Sequence, residues 1–219
     1  MHELIKNYNN IINLIKSKLE DQKNIKTPKI IAVSKTFDLK KILPLIEFGH
    51  LEYGENKVQE AVDKWTDIKT KKPKIKLHLI GKLQTNKVKF AIKIFDYIHS
   101  VDTKKLAKKI AEEEKKQNKK VKIFIQLNIG NENQKSGVKK SELTELSEYC
   151  RELKLNVMGL MCIPPVNENP SQYFKETFEL NQKLNYSELS MGMSSDYVSA
   201  VENYSTYLRI GSSIFGKRD

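Results

Sequence analysis

Eight short apolar runs recur along this chain, the first seven each giving way to an amphipathic stretch, and that alternation restricts the fold more than any other feature. The apolar runs predict strands at Lys29 to Ser34, Glu52 to Gly54, Lys76 to Ile80, Tyr97 to Ser100, Val121 to Asn128, Asn156 to Ile163, Glu188 to Met193 and Tyr207 to Ile210. Between them the spacing predicts helices over Leu39 to Phe48, Lys57 to Trp65, Asn86 to Ile94, Thr103 to Lys116, Ser141 to Leu153, Gln172 to Leu184 and Tyr197 to Val201. With the sequence stopping at Asp219, no eighth helix is expected after the last strand. This rhythm reads as an α/β protein with a single (β/α)8 barrel, an open doubly wound sheet being the alternative.

Ahead of the first strand, Leu4, Ile5, Tyr8, Ile11, Ile12, Ile15 and Leu19 recur at three- and four-residue spacing and form one apolar stripe on a helix from Glu3 to Leu19. A barrel lacking its last helix leaves an apolar flank, and this extra N-terminal helix is expected to cover it.

A length of 219 residues at 39% hydrophobic content suits one core, so residues 1–219 are expected to form a single domain. No stretch approaches the ~20 apolar residues of a membrane span, and the N-terminus lacks a signal peptide's pattern. A cytoplasmic monomer without membrane association is expected. Cys150 and Cys162 form no Cys-x-x-Cys pair and are expected to be reduced packing residues, and the four histidines show no paired ligand spacing for a metal. The net charge of +12 raises nucleic acid as a partner, but arginine occurs only at Arg151, Arg209 and Arg218. Scattered lysine describes a solvated surface better than a reader of phosphate backbones, so no nucleic-acid partner is expected.

Lys35 leaves the first predicted strand at its carboxyl end, where barrel chemistry is placed. Ser190-Met191-Gly192-Met193-Ser194-Ser195-Asp196 and Arg209-Ile210-Gly211-Ser212-Ser213 run from strands seven and eight into turns rich in glycine and serine. Such turns can be connections and nothing more. Paired at the mouth of a barrel, Gly192 and Gly211 would let backbone amides approach an anion while Ser194 and Ser212 offer hydroxyls. Strand alternation turns Arg209 and Gly211 to one face, so Arg209 points into the site unless an internal salt bridge to Glu55 or Asp196 claims it. Asn56 faces the mouth as a donor or helix cap, and His78 alternates with apolar residues and is expected inward near the ligand. A lysine amine, a phosphate cup and an arginine together point to pyridoxal phosphate.

Ala32-Val33-Ser34-Lys35-Thr36, Tyr53-Gly54-Glu55-Asn56-Lys57-Val58-Gln59-Glu60, His78-Leu79-Ile80-Gly81-Lys82-Leu83-Gln84-Thr85-Asn86-Lys87, Gly159-Leu160-Met161, Leu189-Ser190-Met191-Gly192-Met193-Ser194 and Arg209-Ile210-Gly211-Ser212-Ser213-Ile214-Phe215-Gly216 resemble, in order, the pyridoxal phosphate homeostasis proteins, the YggS/PROSC family. The resemblance implies a fold-type III barrel similar to the N-terminal domain of alanine racemase, with pyridoxal 5'-phosphate held as an aldimine on Lys35. It further implies an arginine, Arg209, beside the cofactor ring, and phosphate contacts from Ser194, Gly211 and Ser212. Asn56, His78 and Met161 complete the expected cofactor-binding set. Ser212 stands where threonine is common in that family, Lys57 stands where tyrosine often follows Gly-Glu-Asn, and Lys135 matches a family lysine.

The expected role is a non-catalytic carrier that buffers or delivers the cofactor, with apoenzymes as recipients, and so maintains vitamin B6 and amino-acid homeostasis. The sequence ends at Lys217-Arg218-Asp219 without the second domain from which alanine racemase supplies an opposing tyrosine. An arginine at the ring nitrogen also makes a weaker electron sink than a carboxylate. The alternative is a small racemase that borrows groups such as Tyr53.

Overall fold

The computed structural model describes residues 2–20, 26–132 and 134–216; the terminal Lys217-Arg218-Asp219 lies outside them. Strands β1 (Lys29–Val33), β2 (Glu52–Glu55), β3 (Lys76–Leu79), β4 (Tyr97–Val101), β5 (Lys122–Leu127), β6 (Asn156–Cys162), β7 (Glu188–Met193) and β8 (Tyr207–Ile210) pair in parallel in chain order. Strand β8 returns to β1, with Ile31 opposite Arg209, and closes the barrel. The open sheet is therefore excluded.

Helices α1 (Glu3–Glu20), α2 (Leu39–Glu47), α3 (Val58–Lys71), α4 (Val88–Ile94), α5 (Lys104–Gln117), α6 (Leu143–Glu152), α7 (Pro170–Lys183), α8 (Tyr197–Glu202) and α9 (Ser212–Phe215) surround it. Two sequence expectations change. Helix α3 continues past Trp65 because Ile68 extends its apolar stripe. A one-turn helix, α9, follows β8, where none was expected, and buries Ile214 and Phe215. The starts expected at Asn86 and Ser141 fall on short 3-10 turns that lead into α4 and α6.

Alternation along the strands separates two cores. Ile30, Ala32, Tyr53, Leu77 and Leu208 face outward into the main core beneath the helices. Ile31, Tyr97, Phe124, Met161 and Tyr207 fill the barrel itself. The barrel is thus plugged at mid-height, and its carboxyl end remains as a cup.

The seam between β8 and β1 is covered by α1, as the apolar stripe predicts. Leu4, Ile5, Ile11 and Ile15 are buried. Asn7 donates to the Ile214 carbonyl of α9 at 3.4 Å, Lys18 pairs with Glu202 of α8 at 3.2 Å, and the Tyr8 ring meets Phe48 edge-on. A short final helix would leave this flank wet, and α1 replaces the missing apolar surface.

Candidate functional site

At the carboxyl ends of the strands lies a cavity of about 660 Å³. Its polar lining is Lys35, Asn56, Lys82, Gln126, Ser136, Ser194, Ser195, Arg209, Ser212 and Ser213, with Gly211 beside them and Val33, Ile80, Ile163 and Met193 as apolar walls. The lining carries cations and neutral donors but no carboxylate, histidine or tyrosine among the described residues. That charge balance suits an anion.

Lys35 sits in the turn that ends β1, and the residues on either side of it are anchored. Ser34 donates its N–H to the Gly54 carbonyl at 2.9 Å and its hydroxyl to Glu55 Oε1 at 2.8 Å. Lys64 Nζ, nearly buried beneath the turn, donates to the Ser34 carbonyl at 3.0 Å, to Glu55 Oε1 at 3.1 Å and to Glu60 Oε1 at 3.0 Å. Glu60 in turn accepts the Thr36 N–H at 2.6 Å. Thr36 has a φ of +67°, a left-handed conformation that a β-branched residue rarely adopts. This network, buried at Ser34 and Glu55 and open to solvent at Thr36, holds the turn in that conformation, with Lys35 lining the cavity.

Glu55 is completely buried, and its Oε1 accepts from Ser34, Lys64 and the Trp65 indole, which donates at 2.9 Å, while its Oε2 is buried without a hydrogen-bond partner among the described residues. It therefore faces outward and is not the salt-bridge partner weighed for Arg209. Burial raises its pKa against the lowering effect of Trp65, Lys64 and Ser34. For Glu60, burial acts upward, but the Thr36 N–H and Lys64 outweigh it and hold the carboxyl below the usual range.

On the other side of β1 from Asn56, the turns after β7 and β8 are tied together. Ser194 Oγ accepts the N–H of Gly211 at 3.2 Å and that of Ser213 at 3.3 Å, and Ser213 Oγ donates to the Ser194 carbonyl at 3.4 Å. Two accepted bonds leave the Ser194 hydroxyl its own hydrogen to donate. A Cβ at Gly211 would meet only the Val33 side chain and carbonyl, at 3.4 Å, so packing does not demand glycine there. Gly192 differs from expectation. It does not line the cavity; its φ of +87° and the 2.6 Å approach of a would-be Cβ to Ala200 show that it serves the packing of β7 on α8.

Arg209 reaches the floor of the cavity, 4% exposed. It donates to Ser190 Oγ at 2.6 Å and to the Cys162 carbonyl at 2.9 Å. Burial lowers its pKa, with Cys162 and Asp196 acting in the opposite sense.

Of the eight residues expected to bind the cofactor, Lys35, Asn56, Ser194, Arg209, Gly211 and Ser212 line the one cavity. Asn56 is not a helix cap, since Lys57 occupies that position in front of α3. His78 and Met161 are corrections. Both point into the barrel, as their parity requires, but one layer too deep: His78 stacks on Tyr97 at 4.2 Å, and Met161 packs in the plug. The residues two further along, Ile80 and Ile163, reach the cavity. Strand period identifies the face of a side chain and leaves its depth open, and one step of two residues is about 6.6 Å. Tyr53 is also excluded as a borrowed acid, because it is fully buried between the His50 and Trp65 rings outside the barrel.

Lys82, Gln126 and Ser136 line the cavity without having been singled out. Gln126 had a readable signal: a polar residue in an apolar strand, two positions after Phe124 and so on the inward face. Lys135 contacts Glu132 at 2.5 Å and the Pro164 carbonyl at 3.3 Å. Cys150 and Cys162 are free thiols that burial pushes up to about 12 and about 11. Among the described residues no metal-binding cluster of histidine, cysteine or carboxylate occurs, and no helix is long and apolar enough to cross a membrane.

Fold and site together define a barrel of the type found in alanine racemases, and residues 10–219 match the family model described as alanine racemase, N-terminal domain. An alanine racemase from Clostridium difficile 630 shares that fold with a TM-score of 0.69 at 15% identity, over 94% of this chain and 55% of the other. The pyridoxal phosphate homeostasis protein of Aquifex aeolicus (strain VF5) is 40% identical over 200 residues, 87% of each chain. PipY of Synechococcus elongatus PCC7942, solved with PLP bound, is 31% identical with a TM-score of 0.77, over 92% of this chain and 100% of that one. The chain belongs to the family of pyridoxal phosphate homeostasis proteins.

Proposed function

We propose that residues 1–219 form one domain that holds pyridoxal 5'-phosphate in the mouth cavity and buffers or delivers it, without using it for catalysis. The observation that carries this reading is the lining itself: Lys35, Arg209 and the Ser194–Gly211–Ser213 cluster face one cavity, and the described residues that line it include no carboxylate. The fit is good on three counts. A phosphate dianion requires hydrogen-bond donors and no competing negative charge, and the Ser194, Gly211, Ser212 and Ser213 turns offer them. Arg209 presents N–H donors toward an acceptor on the floor. A pyridoxal compound is also small enough for a cavity of this size, in the range of ordinary ligand pockets.

When bound, the cofactor supplies an aldehyde carbon. The Lys35 amine is the attacking group, and its turn is held by Ser34, Glu60 and Lys64 so that the amine stays directed at the cavity. Asn56, beside Lys35 at the end of β2, and Gln126, across the barrel on β5, would orient the bound molecule, and Ile80 and Ile163 would exclude water from it.

The carrier reading rests on the same lining. Two-base racemisation at the carbon of a bound amino acid needs a second acid or base facing Lys35, and no histidine, tyrosine or carboxylate stands there among the described residues. Arg209 donates and cannot stabilise a protonated ring nitrogen. Recipient apoenzymes, a monomeric state and a cytoplasmic location belong to this same proposal.

Incubating the cofactor-loaded protein with single amino-acid enantiomers in deuterated water separates carrier from racemase. Substoichiometric exchange at the α-carbon is expected. Many turnovers of exchange would establish the racemase reading instead.

A further inference from the structure

Behind Arg209 a line of buried polar side chains crosses the barrel plug from one end to the other. Ser190 Oγ lies 2.8 Å from His99 Nδ1, His99 Nε2 lies 3.0 Å from His78 Nδ1, and His78 Nε2 lies 2.7 Å from Glu52 Oε2 at the amino-terminal end of β2. Both histidines are completely buried, while Glu52 is 18% exposed at the far face. We infer that Glu52, His78, His99 and Ser190 are positioning residues that fix Arg209 in the cofactor cavity through a hydrogen-bonded chain of a single proton order. This inference rests on the cofactor reading proposed above.

The two ends determine the order. A guanidinium only donates, so Ser190 Oγ accepts from Arg209 at 2.6 Å. A carboxylate only accepts, so His78 carries its hydrogen on Nε2 toward Glu52. A neutral imidazole has one donor and one acceptor; His78 Nδ1 therefore accepts, His99 donates from Nε2, and His99 Nδ1 accepts the hydroxyl hydrogen of Ser190. Every hydrogen points from Arg209 toward Glu52.

The charge states agree with this order. Burial lowers the pKa of His78 against the raising effect of Glu52, and burial, followed by the nearby His78 and Arg209, holds His99 well below the ordinary range. At Glu52 burial acts upward, but His78 and then Lys29 outweigh it and keep the carboxyl ionised.

The arrangement answers an electrostatic difficulty. A buried guanidinium requires compensation, yet a carboxylate beside it would repel a phosphorylated ligand in the same cavity. Among the described residues none lies at ion-pair distance from Arg209. Glu52 stands at the other end of the barrel, and the three groups between them transmit a fixed polarity without placing the Glu52 carboxylate in the cavity.

Long-range nitrogen–proton NMR spectra of the cofactor-free full chain read the order directly. His78 and His99 are both expected to carry hydrogen on Nε2. In Glu52→Leu the acceptor is gone, and His99, two links away, is expected to populate both tautomers. Titration with pyridoxal 5'-phosphate should then show affinity falling roughly tenfold. Glu188→Leu removes an equal charge from the start of β7, outside the chain, and should change neither readout. Simple Coulomb attraction predicts the opposite sign for Glu52→Leu, because removing a distant negative charge favours an anion.

Hydrogen on His99 Nδ1 in the wild type would overturn the inference, as would equal affinities in the two leucine variants. If Glu52→Leu does not fold, Ser190→Ala breaks the chain at the other end and should give the same loss, with recovery in Ser190→Thr; no recovery would count against the inference. Failure of the wild type to bind the cofactor would sink the functional proposal and leave the tautomer measurement intact.

Discussion

Lys35 depends for its position on a lysine that never reaches the cavity. Lys64 bridges the Ser34 carbonyl, Glu55 and Glu60 beneath the turn, and its loss leaves Glu55 as a completely buried carboxylate with only neutral donors. Lys64→Met is expected to lower stability by about 3 kcal/mol in chemical denaturation. The sign of its pH dependence follows from Glu55. A folded-state pKa raised by burial makes the protonated carboxyl the stabilising form, and removing Lys64 raises it further. The deficit relative to the wild type should therefore widen as pH rises above the ordinary carboxylate value of 4.5.

Two glycines give a second comparison at this scale. Gly192→Ala meets both a positive φ and Ala200 at 2.6 Å and should lose about 2 kcal/mol of stability. Gly211→Ala meets only Val33 at 3.4 Å; its melting temperature should stay near that of the wild type while cofactor affinity, followed by titration, drops roughly tenfold. The cavity-lining residues that could be read from sequence were those just past strand ends, where chain position supplies depth as well as face: Lys35, Asn56, Ser194, Gly211 and Ser212. Arg209, His78 and Met161 each stand one residue before the end of their strands, and parity alone could not tell which of the three reaches the cup and which two lie in the plug. Lys64 was hidden for another reason. On a lysine-rich amphipathic helix, nothing local distinguishes a lysine that folds back under a neighbouring turn from one in solvent.

At the scale of elements, α1 behaves as part of the barrel wall. Its stripe buries Leu4, Ile5, Ile11 and Ile15 across the seam beside α8, α9 and α2. Ile15→Ala, at 3% exposure, should lower unfolding stability by about 3 kcal/mol, and Lys18→Ala on the outer side by less than about 0.5 kcal/mol. Deleting α1 should lower the melting temperature of the whole domain, and an unchanged transition would mean that the helix is an appendage. Strand positions were legible to within a residue because apolar runs bounded by polar turns mark them directly. Helix starts were blurrier, since the turns at Thr85–Lys87 and Lys140–Glu142 tighten the chain without changing its apolar spacing. The short α9 escaped because a one-turn helix has no period to detect.

For the molecule as a whole, three buried histidines set the response to acid. Burial lowers His50 to about 4, with hydrogen bonds to the Glu52 and Ile30 backbone opposing, and His78 and His99 are lowered as well. The unfolded chain binds protons at these sites below its ordinary value of 6.5 while the fold does not, so stability is lost as pH falls. Each contributes up to about 1.4 kcal/mol per pH unit, and the window for His50 runs from 6.5 down to about 4. Thermal melts across that range should show a steep decline that Lys64→Met does not remove. The closed barrel and its cup were legible because the eight-fold alternation fixes the topology and the carboxyl ends fix where the site lies. The interior chain from Glu52 to Arg209 was not, since it joins five strands whose relative heights only the folded register sets.

All of these readings converge on one amine in a chain rich in lysine. The purified protein, loaded with pyridoxal 5'-phosphate, reduced with borohydride and digested, reports which amine the cofactor joins. Label confined to the peptide containing Lys35 is the expected result. Label on Lys82, Lys135 or any other lysine, with Lys35 unmodified, would contradict the assignment of the cavity and its purpose.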